Sequence, residues 1–167
     1  MKRALCCVAL VVAPILSLAC LDATAIDVRI YTDQPCTTPA GTVAILAQSS
    51  LADLDKALQQ GVSGPSARSC TPGTPDAYVG DIVLLPSRSL DETMAFAVMS
   101  RLDGTDPSSC GELADNKCIV SIRTVQFVPH RTQTVCVHLE TSCAGKCGTQ
   151  TCVDGACVDP PIATPCP

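Results

Sequence analysis

The sequence is short of aromatic side chains, which normally contribute the largest buried areas to a protein core. Of its 167 residues, two are tyrosine, two are phenylalanine and none is tryptophan. Aromatic residues bury more apolar area than the others. With only four of them, a core stabilised mainly by large rings is excluded. A chain of this composition needs another source of stability. Its thirteen cysteines are the obvious candidates.

Sequence patterns that mark active sites are also missing. A Ser-His-Asp hydrolase needs a histidine beside its nucleophile, and the sequence has no G-x-S-x-G elbow. The only imidazoles are His130 and His138, and no H-E-x-x-H pattern frames them for zinc, alone or with Glu140. We therefore expect a non-enzymatic protein without a cofactor, in which both histidines lie at the solvated surface.

Calcium-binding loops are not indicated either. Asp53 with Asp55, and Asp103 with Asp106, place carboxylates close together in the chain, but the twelve-residue ligand pattern of a calcium loop is absent. Aspartates in loops commonly cap turns. We expect that role for these four residues and predict no metal site.

The first 19 residues have the layout of an export signal. Lys2 and Arg3 precede an uncharged apolar run that ends in small residues. That run is about 16 residues long, short for a bilayer span, and Pro14 interrupts it. The pattern predicts a cleaved signal peptide over residues 1–19.

The cleavage site decides how the protein is held. Leu16-Ser17-Leu18-Ala19-Cys20 resembles the lipobox of bacterial lipoproteins, although that family more often has an aliphatic residue where Ser17 stands. The resemblance implies acylation of Cys20, anchorage to a membrane and a tether over residues 20–25. Because Leu21 and not aspartate follows the cysteine, it also implies the outer membrane. Ala23-Thr24-Ala25 offers a competing cut after Ala25, which would release the protein.

Either cut leaves an even number of cysteines for the folded domain. An exported chain of this kind is expected to form up to five disulfides, whose connectivity cannot be read from the sequence. The spacings in the segment 143–167 are loose for the alternative, a zinc site. A ring closed by Cys110 and Cys118 is the one pairing that we suggest. The ten disulfide candidates are Cys36, Cys70, Cys110, Cys118, Cys136, Cys143, Cys147, Cys152, Cys157 and Cys166.

The remaining pattern is that of a mainly β domain over residues 26–142, followed by the cysteine-rich tail 143–167. About six apolar or alternating runs are separated by turn-rich connections, which favours an antiparallel β-sandwich, immunoglobulin-like in broad class. The tryptophan of a true antibody domain is missing. The capping pattern Ser50 to Asp53 predicts the start of a short helix. The predicted strands are Ile26–Thr32, Thr42–Ala47, Tyr78–Leu85, Thr93–Leu102, Val120–Phe127 and Gln133–Leu139.

Three finer predictions concern how these strands are placed. The unbroken apolar run Ile82–Leu85 predicts a central strand covered on both faces. Pro129, His130 and Arg131 predict the turn of a hairpin between the last two strands. The apolar parity of the first of these strands changes near Arg123 and Thr124, which predicts a β-bulge.

Several motifs together resemble those of predicted lipoproteins from myxobacteria and related bacteria. They are the lipobox, an I-x-V-x-I strand leading to P-C, G-D-I-V-L-L-P-S at Gly80–Ser87, F-V-P-H at Phe127–His130, and the C-x3-C-x4-C-x4-C tail. The resemblance covers most of the mature chain. It implies a cell-envelope lipoprotein but no particular activity.

Charge narrows the range of partners. Loss of Lys2 and Arg3 with the signal leaves nine basic against 16 acidic residues, a net charge of about −7. An acidic surface disfavours nucleic acid as a partner. We expect an envelope protein with a structural role or one that binds a protein or glycan. The alternative is a secreted effector, such as a protease inhibitor that presents the loop Val62–Ala77.

Overall fold

The computed structural model describes residues 22–36, 42–62, 64–111, 116–147, 150–163 and 166, so the signal-peptide region and Cys20 lie outside the described residues. Within these ranges the protein is mainly β, with one α-helix, as the sequence predicts. No helix among the described residues has the length and apolar character needed to cross a membrane. The elements are β1 Ala25–Thr32, β2 Thr42–Gln48, α1 Leu51–Gln59, β3 Ser66–Arg68, β4 Ala77–Leu84, β5 Thr93–Arg101, β6 Cys118–Gln126, β7 Thr132–Leu139, β8 Thr151–Val153 and β9 Ala156–Val158.

The three-stranded sheet has the order β4-β1-β7. Strand β1 alternates as predicted, with Ile26, Val28 and Ile30 buried and the residues between them less so. It pairs antiparallel with β4 but parallel with β7. The parallel pair departs from an entirely antiparallel arrangement. It arises because β1 and β7 enter the sheet from the same end.

The four-stranded sheet has the order β3-β2-β5-β6, and all of its pairs are antiparallel. Strand β5 is central and is buried along its whole length after Thr93. The prediction of a strand here is confirmed. Phe96 and Val98 point to one side and Ala97 and Met99 to the other, and all four are buried because both faces of this sheet are covered.

Two hydrophobic clusters cover these faces. The first contains residues of both sheets, including Val28 and Val137 from the three-stranded sheet and Phe96 from the four-stranded sheet. The second lies on the opposite face of the four-stranded sheet, where Leu54 and Leu58 of α1 pack. The order through the domain is therefore three-stranded sheet, four-stranded sheet, helix.

Helix α1 forms where the capping pattern predicts it. The Ser50 side chain accepts a hydrogen bond from the Asp53 N–H, with a distance of 3.1 Å, and this satisfies one of the free donors of the first turn. Gly61, with φ +63°, follows the last turn and donates its N–H to the Leu58 carbonyl. The helix is short, and packing of its buried face on the sheet stabilises it.

The predicted hairpin and bulge are both wrong. Strand β6 belongs to the four-stranded sheet and β7 to the three-stranded sheet, so the turn at Pro129 crosses from one sheet to the other. The register of β6 against β5 is continuous through Arg123 and Thr124. The change in parity has another cause: Val120 faces the helix side of the sheet, whereas Val125 faces the cluster between the sheets.

The prediction that Ile82–Leu85 forms a central strand is also wrong. Strand β4 is at the edge of the three-stranded sheet, and Val83 is 56% exposed and Leu85 62% exposed. Only Leu84 in this run is fully buried. An unbroken apolar run indicates cover on both faces only if a second layer is present, and no described element lies over the outer face of this strand.

The cysteine-rich tail covers one side of the domain. The hairpin β8–β9 packs on β6, where the Ser121 and Thr151 hydroxyl oxygens are 3.5 Å apart and both residues are buried. Further on, the Ala163 N–H donates to the Thr124 carbonyl, at 2.7 Å, along the free edge of β6. Cys166 then joins β7 through its disulfide with Cys136. The tail thus runs from the edge of one sheet to the edge of the other and covers both edges.

Candidate functional site

The outer face of the three-stranded sheet carries a row of aromatic rings. Tyr31 on β1 is in register with Tyr78 on β4 and with His138 on β7, so the three side chains stand side by side across the sheet. The Tyr31 and His138 rings are stacked, with centroids 5.3 Å apart and planes 16° apart. The Tyr31 and Tyr78 rings are tilted, with centroids 5.6 Å apart. Both tyrosines of the chain are therefore used here.

Carboxylates hold the two ends of this row. His138 Nδ1 lies 3.0 Å from Asp76 Oδ2, at the β7 side. The Tyr78 hydroxyl donates to Asp81 Oδ1 at 2.7 Å, at the β4 side. This hydrogen bond and the negative charge that the phenolate would meet raise the pKa of Tyr78 to about 12. Tyr78 is therefore a neutral hydrogen-bond donor at any physiological pH.

A groove of about 330 Å³ adjoins the row, and Asp27, Arg29, Tyr31, Tyr78 and Asp81 line it. Arg29 Nε donates to Asp27 Oδ2 at 3.2 Å. The other carboxylate oxygen, Asp27 Oδ1, is buried and has no hydrogen-bond partner among the described residues. A buried acceptor without a partner costs stability.

The groove and the aromatic row offer complementary chemistry. Stacking with His138 occupies one face of the Tyr31 ring, so a ring-shaped ligand would meet the remaining faces and edges of the row. Ring faces carry partial negative charge and attract polarised C–H groups. Asp27 and Asp81 accept hydrogen bonds from hydroxyl groups, and Arg29 donates them. Small-molecule sites typically combine such apolar surfaces with a few placed polar groups.

The structure places the two histidines at opposite ends of β7, and both are exposed, as predicted. His130 is in the turn before the strand, has φ 58°, and donates its N–H to Thr24 Oγ1. His138 takes part in the aromatic row, which the sequence did not reveal. A usable signal was present: Tyr31 and His138 both occupy the polar parity of their strands.

The four aspartates considered for calcium serve local structure. The Asp53 carboxylate accepts hydrogen bonds from the Ser50 and Ser49 hydroxyls, and these hydrogen bonds lower its pKa. Asp103 pairs with Arg101 and Lys117, which hold its pKa well below the usual range. Asp106 accepts the Ser108 N–H. Asp55 accepts from Gln59. Among the described residues, no three His, Cys, Asp or Glu side chains are grouped as metal ligands.

All ten candidate cysteines form disulfides. The suggested Cys110–Cys118 ring is confirmed. The Val62–Ala77 segment is fixed at Cys70, and its residues Ser66–Arg68 form β3 on the edge of β2. The five bonds are Cys36–Cys70, Cys110–Cys118, Cys136–Cys166, Cys143–Cys152 and Cys147–Cys157.

Comparison of the chain with protein-family profiles, curated proteins and solved structures returned no match. The function is therefore argued from the geometry of the outer face of the three-stranded sheet.

Proposed function

We propose that the protein is a non-enzymatic lipoprotein of the bacterial envelope that binds a saccharide through the outer face of its three-stranded sheet. The observation that carries the proposal is the row Tyr31, Tyr78 and His138 beside a groove that Asp27, Arg29 and Asp81 line. The domain that presents this face is an immunoglobulin-like β-sandwich in our interpretation. The shared hydrophobic cluster of the two sheets supports that assignment.

Disulfides support export. Five of them join all ten cysteines that follow residue 25. Such bonds persist in oxidising compartments and are rare in the cytosol. The lipobox resemblance supports an anchor at Cys20, and β1 begins at Ala25, which leaves a short tether between lipid and domain. The outer membrane is the proposed location.

The composition of the face favours a saccharide over a protein. A stable protein interface buries about 800 Å² on each partner around an apolar centre. Here the strands present charged residues next to the rings: Asp27, Arg29 and Asp81. Sugars instead offer both an apolar ring face and a ring of hydroxyls. They match the outer face of β1, where the charged residues Asp27 and Arg29 are followed by Tyr31.

Binding to immobilised envelope and host glycans tests this proposal. We expect the mature protein to bind one class of glycan, and Tyr78→Ala to weaken that binding about tenfold, or about 1.4 kcal/mol. Val158→Ala is the matched control, because Val158 is an exposed apolar residue on β9, outside the three-stranded sheet. Glycan binding that Tyr78→Ala leaves intact would refute the site.

The anchor has a separate test. Growth of the native host with labelled palmitate should label the protein, and Cys20→Ser should abolish the label. An unlabelled protein whose N-terminus is Ile26 would show that the competing cut is used and that the protein is released.

A further inference from the structure

We infer that the end of the domain where the tether attaches rests on the bilayer surface, with Leu85, Leu90 and Val128 in contact with lipid. The inference depends on the lipid anchor of the proposed function, and it concerns a different surface from the saccharide face. It assigns an orientation: the connections 85–92 and 127–131 face the membrane, and the disulfide-bonded loops at the other end face away from it.

Backbone hydrogen bonds bring the relevant segments together. Strand β1 begins at this end, where the Ala25 N–H donates to the Arg131 carbonyl at 3.1 Å. The connection 127–131 adjoins the connection 85–92, because the Phe127 N–H donates to the Glu92 carbonyl at 3.0 Å. Strand β4 also ends here, with Leu84 opposite Ile26. The tether and both connections therefore share one end.

Exposed apolar residues distinguish this end from the opposite one. Leu85 is 62% exposed, Leu90 46% and Val128 39%. The described connections at the opposite end, 33–36, 69–76, 102–111 and 140–147, contain no exposed large hydrophobic residue. These three residues lie on the adjoining connections 85–92 and 127–131, where exposed aliphatic side chains are candidates for contact with another surface.

The short tether indicates that the bilayer is the surface in contact with Leu85, Leu90 and Val128. Asp22 is the first described residue and lies two residues after Cys20. Two residues span at most about 7 Å, so an acylated Cys20 holds this end within about that distance of the lipid headgroups. At such a separation the effective concentration of the bilayer is very high, and contacts that are weak on their own are sufficient.

The charges at this end are mixed. Arg88 and Arg131 are exposed, but Asp22, Asp91 and Glu92 lie in the same segments. Electrostatic attraction to anionic lipid is therefore not the basis of the contact. We expect docking on zwitterionic lipid, with little dependence on salt.

Tryptophan fluorescence tests the orientation, because the chain has no tryptophan of its own. The mature chain from Cys20 is coupled through that thiol to a maleimide lipid in phosphatidylcholine vesicles that contain brominated acyl chains. The other ten cysteines are in disulfides, so Cys20 is the reactive thiol. We expect the tryptophan emission of Leu90→Trp to shift to shorter wavelength on coupling. We also expect its intensity to fall at least twofold, at both low and high salt. Pro72→Trp, in the exposed loop after Cys70, should not change.

The controls distinguish contact of this end with lipid from acylation of Cys20. Equal quenching of the two variants, or none at Leu90→Trp and at a second probe, Val128→Trp, would overturn the docking. Because coupling replaces acylation by the host, this result does not depend on how the host cleaves the signal peptide. Quenching without palmitate label in the host would refute the natural anchor alone, and label without quenching would refute the docking alone.

Discussion

The two sheets of this domain differ in how many of their faces are covered. The four-stranded sheet packs against the three-stranded sheet on one side and against α1 on the other, so β5 is buried on both faces. The three-stranded sheet is covered on its inner face, and its outer face presents Tyr31, Tyr78 and His138. Aromatic side chains therefore lie in different environments in the two sheets. The Phe96 ring in the four-stranded sheet is buried and stabilises the fold, whereas the rings on the outer face stay half-buried or exposed.

The largest effect that separates the two sheets should come from truncating one ring in each. Phe96 on β5 is fully buried, and Phe96→Ala should cost about 3–5 kcal/mol of unfolding free energy, from lost burial and the cavity left behind. Tyr78→Ala on the open face should cost about 1 kcal/mol. Urea unfolding of the oxidised protein measures both. Similar losses for the two variants would show that the outer rings are part of the core.

A smaller effect should come from the helix that covers the four-stranded sheet. Ser50→Ala removes the acceptor for the Asp53 N–H and should destabilise the protein by about 1 kcal/mol. Ser49→Ala is the matched control, since Ser49 hydrogen-bonds the Asp53 side chain without capping the helix. If the two variants are equally stable in urea, the cap does not hold this layer in place.

The smallest effect concerns ionisation on the open face. Phenolate absorbance of Tyr31→Phe should titrate near pH 12, and adding Asp81→Asn should move the pKa of Tyr78 down toward the usual value of about 10. Since the folded-state pKa is raised, the stability contributed by this hydrogen bond is full below about pH 10 and is lost as pH rises through about 12. An unchanged titration in the double variant would contradict the role of Asp81.

Alternation of apolar and polar residues along the chain, together with the capping pattern, was sufficient to predict several strands and the helix. Buried and polar positions alternate in β1 and β7 as their sequences predict, and the Ser50 capping pattern marks the start of α1. Pairing between strands was less predictable. Neighbours in sequence were expected to pair as β6 and β7, but the turn at Pro129 joins different sheets. Which layer covers a strand is a property of the whole fold. Val83 is exposed because no described element covers the outer face of β4.

The same reasoning explains what was missed at the site. The polar parity of Tyr31 and His138 was visible, but their contact depends on a parallel register between strands more than 100 residues apart. Disulfide partners have no local signature, apart from the short ring Cys110–Cys118. Only the fold could place Tyr78 beside Tyr31 and bring Asp27 into the lining of the same groove.

The pairing of β1 with β7 also bears on when the chain can fold. Thr32 and the Leu139 carbonyl that it contacts are 107 residues apart. The first strand therefore has no partner on its β7 side until nearly all of the chain has been delivered, and contacts of such long range form slowly. Assembly of the complete three-stranded sheet is therefore a late step in folding, and the Cys136–Cys166 disulfide, which fixes β7, depends on a cysteine that comes later still in the chain.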